Sequence, residues 1–264
     1  MGWNLEVLEK RLAGKFIGWP LYYYPEIAST NDEAFRLGIA GAPEGIAIIA
    51  DSQTKGKGRL QRVWHSPPGS NIYTSILLRP NFSPDQAPQI SIAVGVAVAE
   101  TLGRYCPGLV QLKWPNDVLL NQKKVSGILA QMKASADGID FVVLGIGINV
   151  NIGNNQFPQD IQAMATSLAI EEGREIDRQE LIIRLYENIA KWYKELTQRG
   201  FEAIKKKWLN FAPMISQDVQ IMFQDELVSG KALGLDDDGS LIILTVNNET
   251  IKIIAGDATI VKER

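Results

Sequence analysis

The sequence is poor in the residues that much catalytic chemistry leans on. It has one cysteine, Cys106, so no internal disulfide can form and no Cys-x-x-Cys pair exists for zinc or thiol redox chemistry. Its one histidine, His65, excludes multi-histidine metal sites and leaves a Ser-His-Asp triad with a single candidate base. No run of about 18 uncharged apolar residues occurs. The N-terminal MGWNLEVLEKRLAGKF carries Glu6 and Glu9 where a signal peptide would have an apolar core. Neither sign of charge dominates: 27 Lys+Arg stand against 30 Asp+Glu, so the chain has no general attraction for nucleic acid or anionic lipid, and any phosphate binding must be local. These absences imply a soluble protein of a reducing compartment, the cytoplasm, whose chemistry rests on Lys, Arg, Asn, Asp and backbone groups.

What is present is the composition of a globular protein. With 45% hydrophobic and 22% charged residues, disorder and fibrous structure are excluded. A length of 264 residues suits one large domain with a small companion. Leu5–Leu12 has helical spacing, and Leu21-Tyr-Tyr-Tyr24 reads as a strand entering a helix to about Ile39, for which Thr30 and Glu33 form a capping box. Ile46–Ala50 is a strand-length apolar run. The polar, glycine-bearing stretch Asp51–Ser70 follows, and a loop of that length inside a compact domain is usually functional or disordered. Strands are expected at Asn71–Leu78, Leu109–Trp114, Ile128–Lys133 and Phe141–Ile148, with a polar hairpin between the last two. Between the first two strands, ISIAVGVAVAETL is apolar nearly all round, as in a central buried helix running from about Ala87 to Tyr105. Amphipathic spacing from Asp177 marks a long helix, continued by a second at Phe201–Leu209. After Pro213 come short strands, Val219–Phe223, Glu226–Leu235, Leu241–Val246 and Thr250–Ile254, separated by turn residues. The expected organisation is an α+β domain with a mixed sheet over residues 1–212 and a small all-β barrel or sandwich over 213–264.

Several local patterns carry chemistry. The segment Gly56-Lys57-Gly58-Arg59, with Arg62 and Trp64, alternates glycine with cations. Glycines let backbone N–H groups approach an anion, and the cations supply charge. It lacks the Walker A spacing, and the same residues would also serve as a solvated basic loop or a nucleic-acid patch. Lys113-Trp-Pro-Asn116-Asp117 puts a cation, an amide and a carboxylate at one strand end, although Pro, Asn and Asp are also plain turn residues. Asn121–Lys124 taken alone is a hairpin turn with exposed lysines. Gly145-Ile-Gly147-Ile-Asn149 ends a buried strand, where close packing alone could require glycine. Ser29-Thr30-Asn31 suits a helix cap whatever else it does.

In this order and together, the patterns from about Tyr24 to the C-terminus resemble the biotin protein ligases, also called biotin–[acetyl-CoA carboxylase] ligases. The segments that carry the resemblance are Ser29-Thr-Asn31, Gly56-Lys-Gly-Arg59 with Arg62 and Trp64, Ser66-Pro-Pro-Gly69 with Asn71-Ile-Tyr73, Lys113-Trp-Pro-Asn-Asp117, Lys124-Val-Ser-Gly127 and Gly145-Ile-Gly-Ile-Asn149. The resemblance implies a catalytic domain of the class II synthetase-like, biotin/lipoate ligase fold and an SH3-like C-terminal barrel. It also implies activation of biotin by ATP with magnesium to biotinyl-5′-AMP, then transfer to a lysine of a biotin carboxyl carrier protein. Both steps need positioned cations and donors rather than a protein nucleophile, in keeping with the scarcity of histidine and cysteine.

By that resemblance, Ser29, Thr30, Asn31 and Gln53 would hold the biotin ring, and Gly127, Gly145 and Gly147 would floor its pocket. Gly56, Lys57 and Arg59 would hold the carboxylate and α-phosphate under a loop whose closure excludes water. Lys124 would bridge carboxyl and α-phosphate as the central catalytic residue, with Arg59 and Lys113 assisting and Asp117 helping to deprotonate the incoming lysine. Arg62, Lys113, Asn116 and Asn149 would serve nucleotide and magnesium, the metal being carried mainly by the phosphates, and Trp64 would pack on adenine. Two residues depart from the family's Gly-Arg-Gly-Arg-x-Gly-Arg loop. Lys57 keeps the charge but loses the planar guanidinium fork, and Gln61 lacks glycine's freedom at positive φ. Only 23 residues precede Tyr24, too few for the helix-turn-helix domain of some relatives, so a monomeric or homodimeric ligase without a DNA-binding role is expected. The competing readings are a lipoate or octanoate ligase of the same fold and a non-enzymatic anion- or nucleic-acid-binding module. The first is disfavoured by Lys113–Asp117 with the all-β tail, the second by the acidic balance.

Overall fold

The computed structural model describes residues 2–136, 138–223, 226–256 and 258–260. Helix α1 (Leu5–Leu12) starts on Asn4, whose side chain accepts from Val7 N–H at 3.2 Å, and buries Leu8 and Leu12 at helical spacing. Strand β1 (Leu21–Ile27) leads into α2 (Thr30–Ile39), and β2 (Ala47–Gln53) and β3 (Ile72–Leu78) flank the long loop. After α3 (Ala87–Leu102) come β4 (Val110–Lys113), β5 (Asp117–Leu120), β6 (Lys123–Ser135) and β7 (Gly138–Ile148). These strands form one seven-stranded sheet in the order β1-β2-β3-β7-β6-β5-β4, parallel at β1–β2 and antiparallel elsewhere.

The sheet has two differently covered faces, and strand alternation explains them. On one face Ile72, Ile76, Ile128, Leu144, Ile146 and Ile148 join the main core beneath α3 and the helices α5 (Arg178–Arg199) and α6 (Glu202–Leu209), which follow the short α4 (Leu168–Glu172). Helix α3 is the central buried helix expected from its all-apolar surface, and each fully buried Ile or Val there contributes about 1.5–3 kcal/mol relative to exposure. Thr74 Oγ1 and Tyr186 Oη, 2.6 Å apart, tie β3 to α5, and burial raises the Tyr186 phenol far above its ordinary range. On the other face, α2 covers Ile48, Leu77, Phe141 and Val143 at one end of the sheet and leaves the opposite end to the loop.

A second sheet follows, antiparallel throughout, from β8 (Asp218–Phe223), β9 (Glu226–Leu235), β10 (Leu241–Thr245), β11 (Thr250–Ile253) and β12 (Ala258–Ile260), in the order β11-β10-β9-β8-β12. It docks on the first unit through Gly239: Trp114 Nε1 donates to its carbonyl at 3.1 Å, and Gln89 Nε2 donates to the carbonyl of Asp237 at 2.7 Å. The tip of the expected hairpin at Asp137 and residues 261–264 of the expected tail unit lie outside the described residues.

Local expectations shift in several places: α3 stops at Leu102 rather than near Tyr105, and α4 and β12 were not expected. Ser29, not Thr30, caps α2, accepting from Asp32 N–H at 3.4 Å, while Glu33 is taken by Arg36 and Tyr24 instead of closing a box. Strand β5 was not expected, because only four residues separate the Pro115 turn from the turn at Asn121 and Gln122, both left-handed with φ of 52° and 65°. Strands β6 and β7 run past their apolar stretches, since their far ends pair through polar residues.

Candidate active site

One row of register neighbours crosses the uncovered half of the sheet: Lys113 opposite Asp117, Asp117 opposite Gly127, Gly127 opposite Gly147, and Gly147 opposite Tyr73. Register neighbours share a face, so the two glycines open a flat, side-chain-free floor between a charged end and an aromatic one. Gly145, two residues back along β7, extends it toward α2. There Asn31 lies directly on Gly145, where any Cβ would collide with its amide. Asn31 is buried and held from both sides, donating to Gln131 Oε1 at 2.9 Å and accepting from Ser75 Oγ at 2.6 Å.

Lys124 stands at the rim. A register shift between Val118 and Leu119 in the β5–β6 pairing sets its position, and its backbone is gripped by Met164 and Thr166. Its Nζ lies 2.6 Å from Asp117 Oδ1 and 5.6 Å from the centre of the Trp64 ring. Asn149, at the end of β7, donates through Nδ2 to Thr166 O at 3.0 Å, so it braces the same segment.

The glycine-cation loop forms the roof. Lys57 bridges to Val63, Gly58 N–H donates to Arg62 O at 2.7 Å, and Arg62 N–H donates to Arg59 O at 3.1 Å, making a small antiparallel hairpin. Its tip residues Leu60 and Gln61 are both left-handed, with φ of 52° and 61°. Gln61 therefore holds a conformation that glycine adopts freely, at a cost of about 1 kcal/mol or more. Arg59 reaches inward, donating to Asn116 Oδ1 and to the carbonyl of Gly256 in the second sheet, both at 3.1 Å. Lys57 turns outward to Asp32 at 2.5 Å and is half-exposed.

Trp64 is the feature that periodicity could not place. Its indole lies on the floor, where a Cβ at Gly147 would meet its ring and one at Gly127 would come within 3.1 Å of Cζ3. Its Nε1 is buried without a hydrogen-bond partner. An open cleft of about 860 Å³ is bounded by residues 54–63, the first turns of α3, Trp114–Asn116, Ile128–Met132 of β6, Val142 of β7, and Gly239 and Ile254. The sequence-predicted residues thus fall into two groups. Gly56, Lys57, Arg59, Arg62 and Asn116 border the cleft, whereas Ser29, Thr30, Asn31, Gln53, Lys124, Gly127 and Gly145 surround the covered floor and do not line it. A cleft of that size suits a nucleotide, and a floor of two paired glycines suits a small flat ring.

Gln53 links the two groups. Its Oε1 accepts from Thr30 N–H at 2.8 Å and lies 3.1 Å from Thr30 Oγ1, while its Nε2 donates to Ser66 Oγ at 3.1 Å. The residues missed in the sequence are those that hold this framework: Ser75, Gln131, Asp51 and Arg178. Ser75 and Gln131 occupy ordinary strand positions, and Arg178 reads as one more helix cation. Only their registry with Asn31 and the loop gives them away.

A glycine floor, a rim lysine and a cationic roof are the arrangement expected of a protein that encloses a small anionic molecule. Residues 23–149 match the biotin/lipoate A/B protein ligase family, and residues 217–260 match the biotin protein ligase C terminal domain. The bifunctional ligase/repressor BirA of Bacillus subtilis is 38% identical over 92% of this chain and 74% of its own length. The biotin–[acetyl-CoA-carboxylase] ligase of Paracoccus denitrificans is 34% identical over 81% of this chain and 90% of its own. Among solved structures, the biotin protein ligase from Aquifex aeolicus in complex with biotin and ATP superposes with a TM-score of 0.78 at 32% identity, covering 92% of this chain and 99% of that one. The chain belongs to the biotin protein ligase family. No helix among the described residues is long and apolar enough to cross a membrane.

Proposed function

We propose that this protein is an ATP-dependent biotin protein ligase that forms biotinyl-5′-AMP and passes biotin to a lysine of a biotin carboxyl carrier protein, acting in the cytoplasm. The observation that carries this reading is the paired Gly127–Gly147 floor with Lys124 Nζ at its rim and a glycine-cation hairpin above. In the first step a biotin carboxylate oxygen attacks the α-phosphorus and pyrophosphate leaves. Lys124, kept charged-partnered by Asp117 at 2.6 Å, stabilises negative charge building on the phosphoryl oxygens, with Arg59 assisting. In the second step the carrier lysine's amine attacks the acyl carbon and AMP leaves. Asp117 takes the amine's proton, a role that its carboxylate beside Lys124 supports. Ser29, Thr30, Asn31 and Gln53 fix the ring end, Gly56 and Lys57 present backbone N–H groups, Arg62, Lys113, Asn116 and Asn149 serve the nucleotide, and Trp64, which here lies over Gly127 and Gly147, leaves that floor to pack on adenine when the ligands bind.

Magnesium enters this scheme on the ATP phosphates. It usually keeps several waters and takes few protein ligands, which fits a site whose hard donors are the Asp117 carboxylate and the asparagine amides. Among the described residues no cluster of three or more His, Cys, Asp or Glu could hold a metal ion alone. In this reading residues 1–212 form the catalytic domain and 213–264 assist nucleotide and carrier binding, for which the contact of Arg59 with Gly256 is the support.

The test is pyrophosphate release from MgATP with biotin, lipoate or octanoate, with and without a biotin carrier domain. Biotin-dependent release followed by labelling of the carrier is expected. Release with lipoate or octanoate alone would move the protein to the sister activity, and silence with all three would overturn the proposal in favour of a binding module.

A further inference from the structure

The loop's returning limb, Ser66–Asn71, is fastened almost residue by residue. Ser66 accepts from Gln53, Pro67 O accepts from Tyr73 Oη at 2.9 Å, and Ser70 O accepts from Asn151 N–H at 2.8 Å. The Asn71 side chain accepts from Val150 N–H at 2.9 Å, and two further fastenings converge on one ion pair. Gly69 N–H donates to Asp51 Oδ2 at 3.0 Å, and Arg178 Nη1 donates both to Asp51 Oδ1 at 3.0 Å and to Asn71 O at 2.9 Å. Arg178 also lies over the Trp3 ring, 4.7 Å from its centre. Its side chain is only 4% exposed.

Local chemistry argues against that placement. Arg178 is the first residue of α5, where the positive end of the helix dipole disfavours a cation, and burying a guanidinium costs several kcal/mol unless it is paired. A solvent-facing Glu or Gln would make a better helix start. The contacts described here run from the pair to the loop limb and to Trp3. What it touches is the limb that carries Trp64 and Ser66, and through Ser66 the side chain of Gln53.

We infer that Arg178 and Asp51 form a clamp of positioning residues that sets the height of the loop over the floor, and so governs retention of biotin and its adenylate rather than the rate of the chemical steps. This rests on the biotin-ligase reading. The two carboxylate oxygens divide the work, one holding Gly69 and the other Arg178, so both variants should release the same segment and their effects should not add.

The test compares Asp51→Asn, Arg178→Met and the double variant with wild type in adenylate formation, adenylate release and hydrogen exchange over residues 64–71. We expect KM for biotin and the adenylate release rate to rise about tenfold in each single variant and no further in the double one, with kcat within about twofold and faster exchange in the limb. Asp51→Asn, nearly isosteric, answers the question if Arg178→Met fails to fold. A lowered melting temperature with unchanged KM and exchange would overturn the inference and leave the pair purely structural, as would a fall in kcat at constant KM. If wild type forms no adenylate, the biotin-ligase reading fails, and the exchange measurement still decides whether the clamp holds the loop.

Discussion

Three floor glycines occupy one face of β6 and β7, yet alanine at each should do something different, and the differences can be worked out from what a Cβ would meet. At Gly145 it would collide with the Asn31 amide, with Cγ at 2.7 Å and Nδ2 at 2.9 Å. Asn31 cannot step aside without breaking its bonds to Gln131 and Ser75, so α2 itself must lift. Overpacking of this kind costs about 1–3 kcal/mol, and at this chain length the melting temperature should fall by roughly 5 °C. At Gly147 the Cβ would meet Trp64, with Nε1 at 2.5 Å and Cζ2 at 2.8 Å. That indole rides on a loop and can rise by about an ångström, so the fold should survive. A ring bound on the same floor has no such freedom, and KM for biotin should climb about 10- to 100-fold. At Gly127 the nearest atoms are Trp64 Cζ3 at 3.1 Å and Lys124 Cε at 3.3 Å, both movable, and the effect should stay within a few-fold. Differential scanning calorimetry and steady-state adenylate formation separate the three. A Gly147→Ala protein with wild-type KM, or a Gly145→Ala protein with wild-type melting temperature, would refute the assignment of that floor.

Lys124→Ala should keep the fold, since its pair with Asp117 is partly exposed and such pairs contribute at most about 1 kcal/mol, while adenylate formation falls at least about 100-fold; a near-normal adenylate yield in a quenched-flow assay would remove Lys124 from its role. Gln61→Gly should relieve the left-handed strain at the hairpin tip but enlarge the open ensemble, so biotin association should quicken with little change in kcat, as read by stopped-flow tryptophan fluorescence. Burial, helped by Glu172 and Glu171, pushes the Cys106 thiol up to about 11. The unfolded thiol ionises at lower pH, so the stability it contributes is intact below about pH 8.5 and is lost as pH rises toward 11. Urea midpoints measured from pH 7 to 11 should therefore decline in wild type and decline less in Cys106→Ala. The native thiol should also resist a thiol reagent at pH 8 until the protein unfolds.

The elements whose burial is simple were legible from the sequence. Helix α3 has apolar residues on every side and occupies the middle of the molecule, and α5 has a clean apolar stripe along the core. Elements made by pairing were less so. β5 is four residues long, and its partners are chosen by turn geometry on both sides rather than by its own pattern. The site was legible as a set of residue types but not as two compartments, because nothing in the spacing of Gly56–Trp64 says that the indole folds back over Gly127 and Gly147 while Arg59 crosses to Gly256. The capping shift from Thr30 to Ser29 has the same origin: Thr30 is engaged by Gln53 and Ser75, partners 23 and 45 residues away.

The floor also explains why binding and stability can be separated in this protein. Along β7, Ile146 and Ile148 point into the core beneath α3 and α5, while Gly145 and Gly147 point the other way. The strand therefore anchors itself with one set of side chains and keeps its other face bare. A single-residue slip of register would exchange the two faces, burying glycines in the core and pushing isoleucines into the floor. The register is held on both flanks, seven consecutive pairs with β3 and a longer run with β6, so the floor's flatness is as secure as the core itself. The roof, by contrast, is held by side-chain ties to Gln53 and to the Asp51–Arg178 pair rather than by a run of strand pairs, so substitutions at those ties should alter ligand affinity with the sheet left intact.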